Sequence, residues 1–160
     1  MNNRFLAAAV LAVGMAASAQ QAAPVAAHGA WARASVQGQQ ATGVFVTLVA
    51  REPLTLVGAS SPVAGVTELH EMKLEGDVMR MRAIDALPLA AGKPVQLRPG
   101  GDHLMLQQLK APLRPDSTIP VTLTFRTAAG EQRQLALQVP VSATPPKDAA
   151  APSSAAGHKH

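Results

Sequence analysis

Proline interrupts this chain too often for long helices. Thirteen prolines occur in 160 residues, and Pro53, Pro62, Pro88, Pro94, Pro99, Pro112, Pro115 and Pro120 cut its centre into short segments. Inside a helix, proline removes a backbone hydrogen bond and clashes with the preceding turn. No window from Ala41 onward keeps a helical apolar period between these breaks. A strand period of two is visible instead. Val121, Leu123 and Phe125 alternate with Thr122, Thr124 and Arg126. Leu135, Leu137 and Val139 alternate with Gln134, Ala136 and Gln138. Val44 to Val49 is a β-branched and apolar run that suits a buried strand. The expected class is all-β, an antiparallel Greek-key sandwich or small barrel.

The two ends read differently from the middle. Arg4 precedes a 13-residue apolar run, Phe5 to Ala17, and Ala17-Ser18-Ala19 follows as a small-residue cleavage site. This is the layout of a secretory signal peptide. The run falls short of the ~20 residues that span a bilayer as a helix. Residues 1–19 are therefore expected to be a signal peptide, 20–27 a leader segment and 28–141 the folded β domain. From Ser142 the composition collapses to Ala, Pro, Ser, Lys and Asp, so 142–160 is expected to be a disordered tail ending in His158-Lys159-His160. A second small-residue site after Val25-Ala26-Ala27 would instead make His28 the first residue. The mature protein is expected to be exported, with no membrane span.

Composition removes several kinds of function. The absence of Cys excludes disulfides, thiol redox chemistry, zinc fingers and iron–sulfur ligation. It also disfavours blue-copper electron transfer, which needs a Cys thiolate. Aromatic residues are 2% of the chain, too few for base-stacking platforms, and the net charge of +4 is not gathered into a stripe. Nucleic acid is therefore not an expected partner. Ser60-Ser61 lies in no nucleophile–base motif such as Gly-x-Ser-x-Gly, so the chain is not expected to be an enzyme.

The remaining chemistry is concentrated in one stretch. Beyond Met1 and Met15, every Met lies between positions 72 and 105: Met72, Met79, Met81 and Met105. His70 and His103 lie beside them. They form pairs at spacing two, His70-Glu71-Met72, Met79-Arg80-Met81 and His103-Leu104-Met105, and on a strand such pairs point to one face. Taking Glu75-Gly76 as a two-residue hairpin loop, His70 faces Met81 and Met72 faces Met79. The turn Pro99-Gly100-Gly101-Asp102 would then swing His103 and Met105 over that hairpin. Thioether sulfur is soft and imidazole borderline, a donor set that suits Cu(I) better than zinc, calcium or magnesium. Glu71 and Asp102 point away from the donor face and are open to orienting an imidazole. Core packing by Met is the competing explanation.

The spacing His70-x10-Met81-x21-His103-x-Met105 resembles the metal motif of the periplasmic copper(A) chaperone family, the PCuAC-like proteins. Ala30-Trp31-Ala32-Arg33, Leu56-Val57-Gly58-Ala59-Ser60, Glu68-Leu69-His70-Glu71-Met72, Val78-Met79-Arg80-Met81-Arg82, Pro99 to Met105 and Val121 to Phe125 are similar to that family too. The likeness covers roughly Trp31 to Val141. It implies a cupredoxin-like barrel in the periplasm, with one Cu(I) on His70, Met81, His103 and Met105. It also implies delivery toward the copper(A) centre of cytochrome c oxidase. The acceptor would be oxidase subunit II or a Sco-type thiol copper protein. Met72 and Met79 are auxiliary donors at most. His158 and His160 could recruit a second copper as Cu(II). A copper-buffering or resistance protein without a delivery target, and a plain interaction sandwich, are the alternatives.

Overall fold

In the computed structural model, which describes residues 22–150, the proline- and glycine-punctuated segments become ten strands. They are β1 (Val25–Arg33), β2 (Ala41–Ala50), β3 (Leu54–Ser60), β4 (Ala64–Glu75), β5 (Val78–Ile84), β6 (Leu87–Leu89), β7 (Val95–Leu97), β8 (His103–Leu109), β9 (Thr118–Thr127) and β10 (Gln132–Ser142). The expected signal peptide with its Ala19 cleavage site, and His158 and His160, lie outside the described residues. Among the described residues no helix is long and apolar enough to cross a membrane.

The strands make two layers. One runs β5-β4-β8-β2-β1, with the short β7 paired to β2 further along the edge that β8 uses. The other runs β10-β9-β3-β6. They join where β1 and β10 pair in parallel, at Ala32–Val141 and Arg33–Ser142. That parallel join departs from the antiparallel pairing expected throughout. β1 and β10 each already have an antiparallel neighbour, β2 and β9, and closing the sandwich brings the first and last strands side by side in the same direction.

The alternating residues face as their period requires. Ile119, Val121, Leu123 and Phe125 of β9 and Val139 and Val141 of β10 point inward. They meet Leu54 and Leu56 of β3, Val44, Val46 and Leu48 of β2, and Leu104 and Leu106 of β8. Full burial of such a side chain is worth about 1.5–3 kcal/mol over leaving it exposed. Phe45 and Trp31 are also buried, but they stack on each other outside this core cluster, with ring centroids 4.7 Å apart.

At the ends, β1 begins at Val25, ahead of the expected domain start at His28, and Ala23 and Val25 are already buried. A cut after Ala27 would remove the first three residues of β1 and their pairing with Leu48, Val49 and Ala50. β10 continues through Ser142, and a 3-10 turn at Lys147–Ala150 lies against β1.

Candidate metal centre

β4 brings the His and Met pairs together because it is flanked by β5 on one side and β8 on the other. The β4–β5 register differs from the sequence expectation. Glu75 pairs with Val78, so the loop is Gly76-Asp77 rather than Glu75-Gly76. Gly76 has φ +62°, and a two-residue turn of type II′ takes glycine at its first position. His70 therefore opposes Ala83, Met72 opposes Met81, and Leu74 opposes Met79. The shift is by two residues, so every side chain keeps the face that its sequence spacing implied.

His103 reaches His70 differently from the expectation as well. β8 is not swung over the hairpin; it lies beside β4 in the same layer. His70 pairs directly with His103, and Glu68 pairs with Met105. The Pro99–Asp102 loop is a tight excursion between β7 and β8, closed by Arg98 N–H donating to the Asp102 carbonyl over 2.9 Å. The His pair is thus the centre of the face. Met81 and Met105 stand at diagonal positions on either side of it, on β5 and β8. Diagonal neighbours have Cβ atoms about 7–8 Å apart, within reach of long side chains.

The two imidazoles are held by different nitrogens. His70 Nε2 lies 2.9 Å from Glu68 Oε2, which also accepts from Gln107 Nε2 at 3.2 Å. A carboxylate only accepts, so Nε2 carries the proton and Nδ1 keeps a bare lone pair. That Nδ1 is buried and has no hydrogen-bond partner among the described residues. His103 Nδ1 lies 2.9 Å from the Gly101 carbonyl, so there Nδ1 carries the proton and Nε2 is bare. Both residues are 7% exposed, and their ring centroids are 5.6 Å apart. Each His offers one unprotonated nitrogen and has the other tied down, as metal-binding imidazoles do.

The surroundings fix these groups further. The Phe45 ring lies 6.3 Å from the His103 ring, and the Arg33 guanidinium lies 5.9 Å from both the Trp31 and Phe45 centroids. Gly43 pairs with Met105, and a Cβ there would come within 2.7 Å of Phe45 Cζ. Glycine at 43 thus lets Phe45 fold over β2 toward the site. Asp102 accepts from the Met72 backbone N–H at 3.3 Å.

Glu71 does not orient an imidazole; it pairs with Arg82 on the far face of the hairpin. Glu68 does that work, and sequence reasoning missed it. Its signal was its position two residues before His70, on the same face of the strand. Among the described residues, no group of three or more His, Cys, Asp and Glu is placed to hold a metal ion. Thioethers stand beside the imidazoles on this face, with Met81 and Met105 at the diagonal positions. His and Met without thiolate is a donor set that fits Cu(I).

A family model described as "LpqE-like: Putative lipoprotein LpqE-like" matches residues 25–141. The chain is similar to a protein of Leifsonia xyli subsp. xyli named as a putative lipoprotein, 37% identical over 119 residues, which is 71% of this chain and 72% of the relative. Among solved structures it resembles the copper-free DR1885 of Deinococcus radiodurans, with a TM-score of 0.57 and 29% identity, covering 90% of this chain and 97% of that one. The Cu(I) form of DR1885 aligns with a TM-score of 0.53 and 27% identity over 81% of this chain and 84% of that one. The copper-bound PCuAC domain from PmoF2 aligns with a TM-score of 0.60 over 78% of this chain and 97% of that domain. At 22% identity that last likeness speaks for the fold alone. The all-β, cupredoxin-like class and the PCuAC likeness expected from the sequence agree with these neighbours.

Proposed function

The chain belongs to the LpqE-like family, and from that premise we propose that it is an exported copper metallochaperone. It holds one Cu(I) through His70, His103, Met81 and Met105 and passes it to an acceptor. The observation that carries this reading is the His pair. Two buried imidazoles face each other, each with its second nitrogen engaged and its first bare. An unmet buried polar atom such as His70 Nδ1 costs about 1–3 kcal/mol, which a metal bond would recover. The Cu(I) form of DR1885 supports the same ion.

Delivery is favoured over storage by the position of the outer ligand. Met81 is 50% exposed, so an incoming donor can reach the ion from that side. Thioethers leave without taking up a proton, and thiolate is the softer, stronger Cu(I) donor. The ion would therefore move to a Cys-bearing acceptor, such as a Sco-type protein or oxidase subunit II, on the way to the copper(A) centre. The periplasm is the compartment proposed for this exchange. No catalytic step is needed.

Anaerobic Cu(I) titration against a competing chelator tests the reading. One equivalent should bind tightly. The double substitution His103→Ala and Met105→Ala should abolish tight binding while circular dichroism still reports the β fold. Unchanged affinity in the double variant would refute this site. Transfer to a dithiol copper domain separates a chaperone from a buffer, since a buffering protein would retain the ion.

A further inference from the structure

The β4–β5 hairpin has two unlike faces. Glu71, Lys73 and Glu75 face Arg82, Arg80 and Val78 on one side, where Glu75 and Arg80 pair at 3.1 Å and Glu71 pairs with Arg82. From Met72 to the turn the other side carries no charge. There Met72 and Leu74 face Met81 and Met79. Met79 and Met81 are each 50% exposed and Leu74 is 62% exposed, so the outer part of this face lies open, while Met72 is half-buried nearer His70. Filling gaps in a core is the usual work of Met, and these side chains are not in one.

Three thioethers occupy a compact corner of that face. Met72 lies directly opposite Met81, with Cβ atoms about 4.5–5.5 Å apart for such a pair. Met79 is two residues from Met81 along β5, about 6.8 Å. It is diagonal to Met72, about 7–8 Å. Every pair of this trio is adjacent in the sheet, whereas Met81 and Met105 are separated by the whole width of β4. Met side chains are unbranched and adaptable, so three of them can converge on one soft ion.

We propose that Met72, Met79 and Met81 form a second, all-thioether Cu(I) site on the exposed hairpin, which exchanges its ion with the His pair through the shared Met81. This rests on the reading of His70 and His103 as the tighter site. The trio has no imidazole and binds more weakly. Being exposed, it is the side on which copper arrives and leaves. The ion keeps its charge and oxidation state throughout; one set of neutral donors replaces another, and no proton or electron moves.

Ag(I) serves as a redox-inert soft probe, read through the methyl signals of 13C-methyl-methionine protein. In the variant His70→Ala with His103→Ala, Ag(I) should shift Met72, Met79 and Met81 together, saturating at one equivalent, and leave Met105 in place. Adding Met72→Leu and Met79→Leu should weaken that binding about tenfold or more. No shift, a shift of Met81 alone, or an equal shift of Met105 would overturn the proposal. If the double-His variant does not fold, the unaltered protein decides the question: its second equivalent of Ag(I) should move Met72 and Met79, and their failure to move overturns it. The first equivalent reads the imidazoles of His70 and His103 separately. Silent imidazoles with a responding trio would refute the His site and leave the thioether site standing.

Discussion

His70 and His103 face each other across β4 and β8 with ring centroids 5.6 Å apart, and each is pinned by a different partner, Glu68 for one and the Gly101 carbonyl for the other. The pinning leaves Nδ1 of His70 and Nε2 of His103 as the bare donors. The arrangement makes Glu68 a positioning residue that acts through His70.

Replacing Glu68 by Leu should lower Cu(I) affinity roughly 10–100-fold, the usual cost of losing such a partner. A loss of packing alone would not change which nitrogen of His70 is protonated. Nitrogen-15 NMR should therefore show His70 moving from the Nε2-protonated form toward a mixture in the variant. Glu68→Gln keeps an acceptor oxygen and should lose less. A His70 tautomer that is indifferent to position 68 would contradict this role.

Met81→Cys should tighten Cu(I) binding and slow release to a dithiol copper domain, because a thiolate is a stronger Cu(I) donor than a thioether. Stopped-flow transfer from both proteins measures it. Equal or faster release from the Cys variant would mean that ligand softness does not set the release step.

The hairpin depends on Gly76, whose φ of +62° is unfavourable for a β-branched residue. Gly76→Val should cost about 1–3 kcal/mol of local strain. Amide exchange should then quicken along β5 and remain unchanged in β9 and β10, since the hairpin projects from the layer and opens on its own. Uniform acceleration across the domain would show that the hairpin is coupled to the core.

The strands of the core were legible because their period survives in the residues themselves: Val121, Leu123 and Phe125 face inward where alternation put them. The shared face of the His and Met pairs was legible for the same reason. The partners across strands were not. Both Glu75-Gly76 and Gly76-Asp77 are plausible loops, and only the demand for glycine at the first turn position selects the second. That His103 lies beside β4 rather than above it depends on β8 filling the gap between β4 and β2, a non-local pairing that no short segment encodes. The parallel join of β1 to β10 is hidden for the same reason. Glu68 escaped notice because the acids adjacent to the His residues in sequence, Glu71 and Asp102, point elsewhere on a strand, whereas the residue two positions away does not.

His158 and His160 are proposed as a separate, weaker Cu(II) site. His158→Ala with His160→Ala should lower Cu(II) affinity and leave Cu(I) affinity unchanged, as imidazole is the only soft-to-borderline donor that pair supplies. Isothermal titration with each ion checks it. Unaltered Cu(II) binding would mark the pair as incidental.

The central claim is that one Cu(I) sits between two imidazoles and thioether sulfurs. X-ray absorption at the copper edge, on protein loaded anaerobically with one equivalent, reads those ligands directly. The account predicts a spectrum with both imidazole scattering and Cu–S scattering, and loss of the imidazole component in the His70→Ala, His103→Ala variant. A one-equivalent spectrum without sulfur, or one without imidazole, would contradict it.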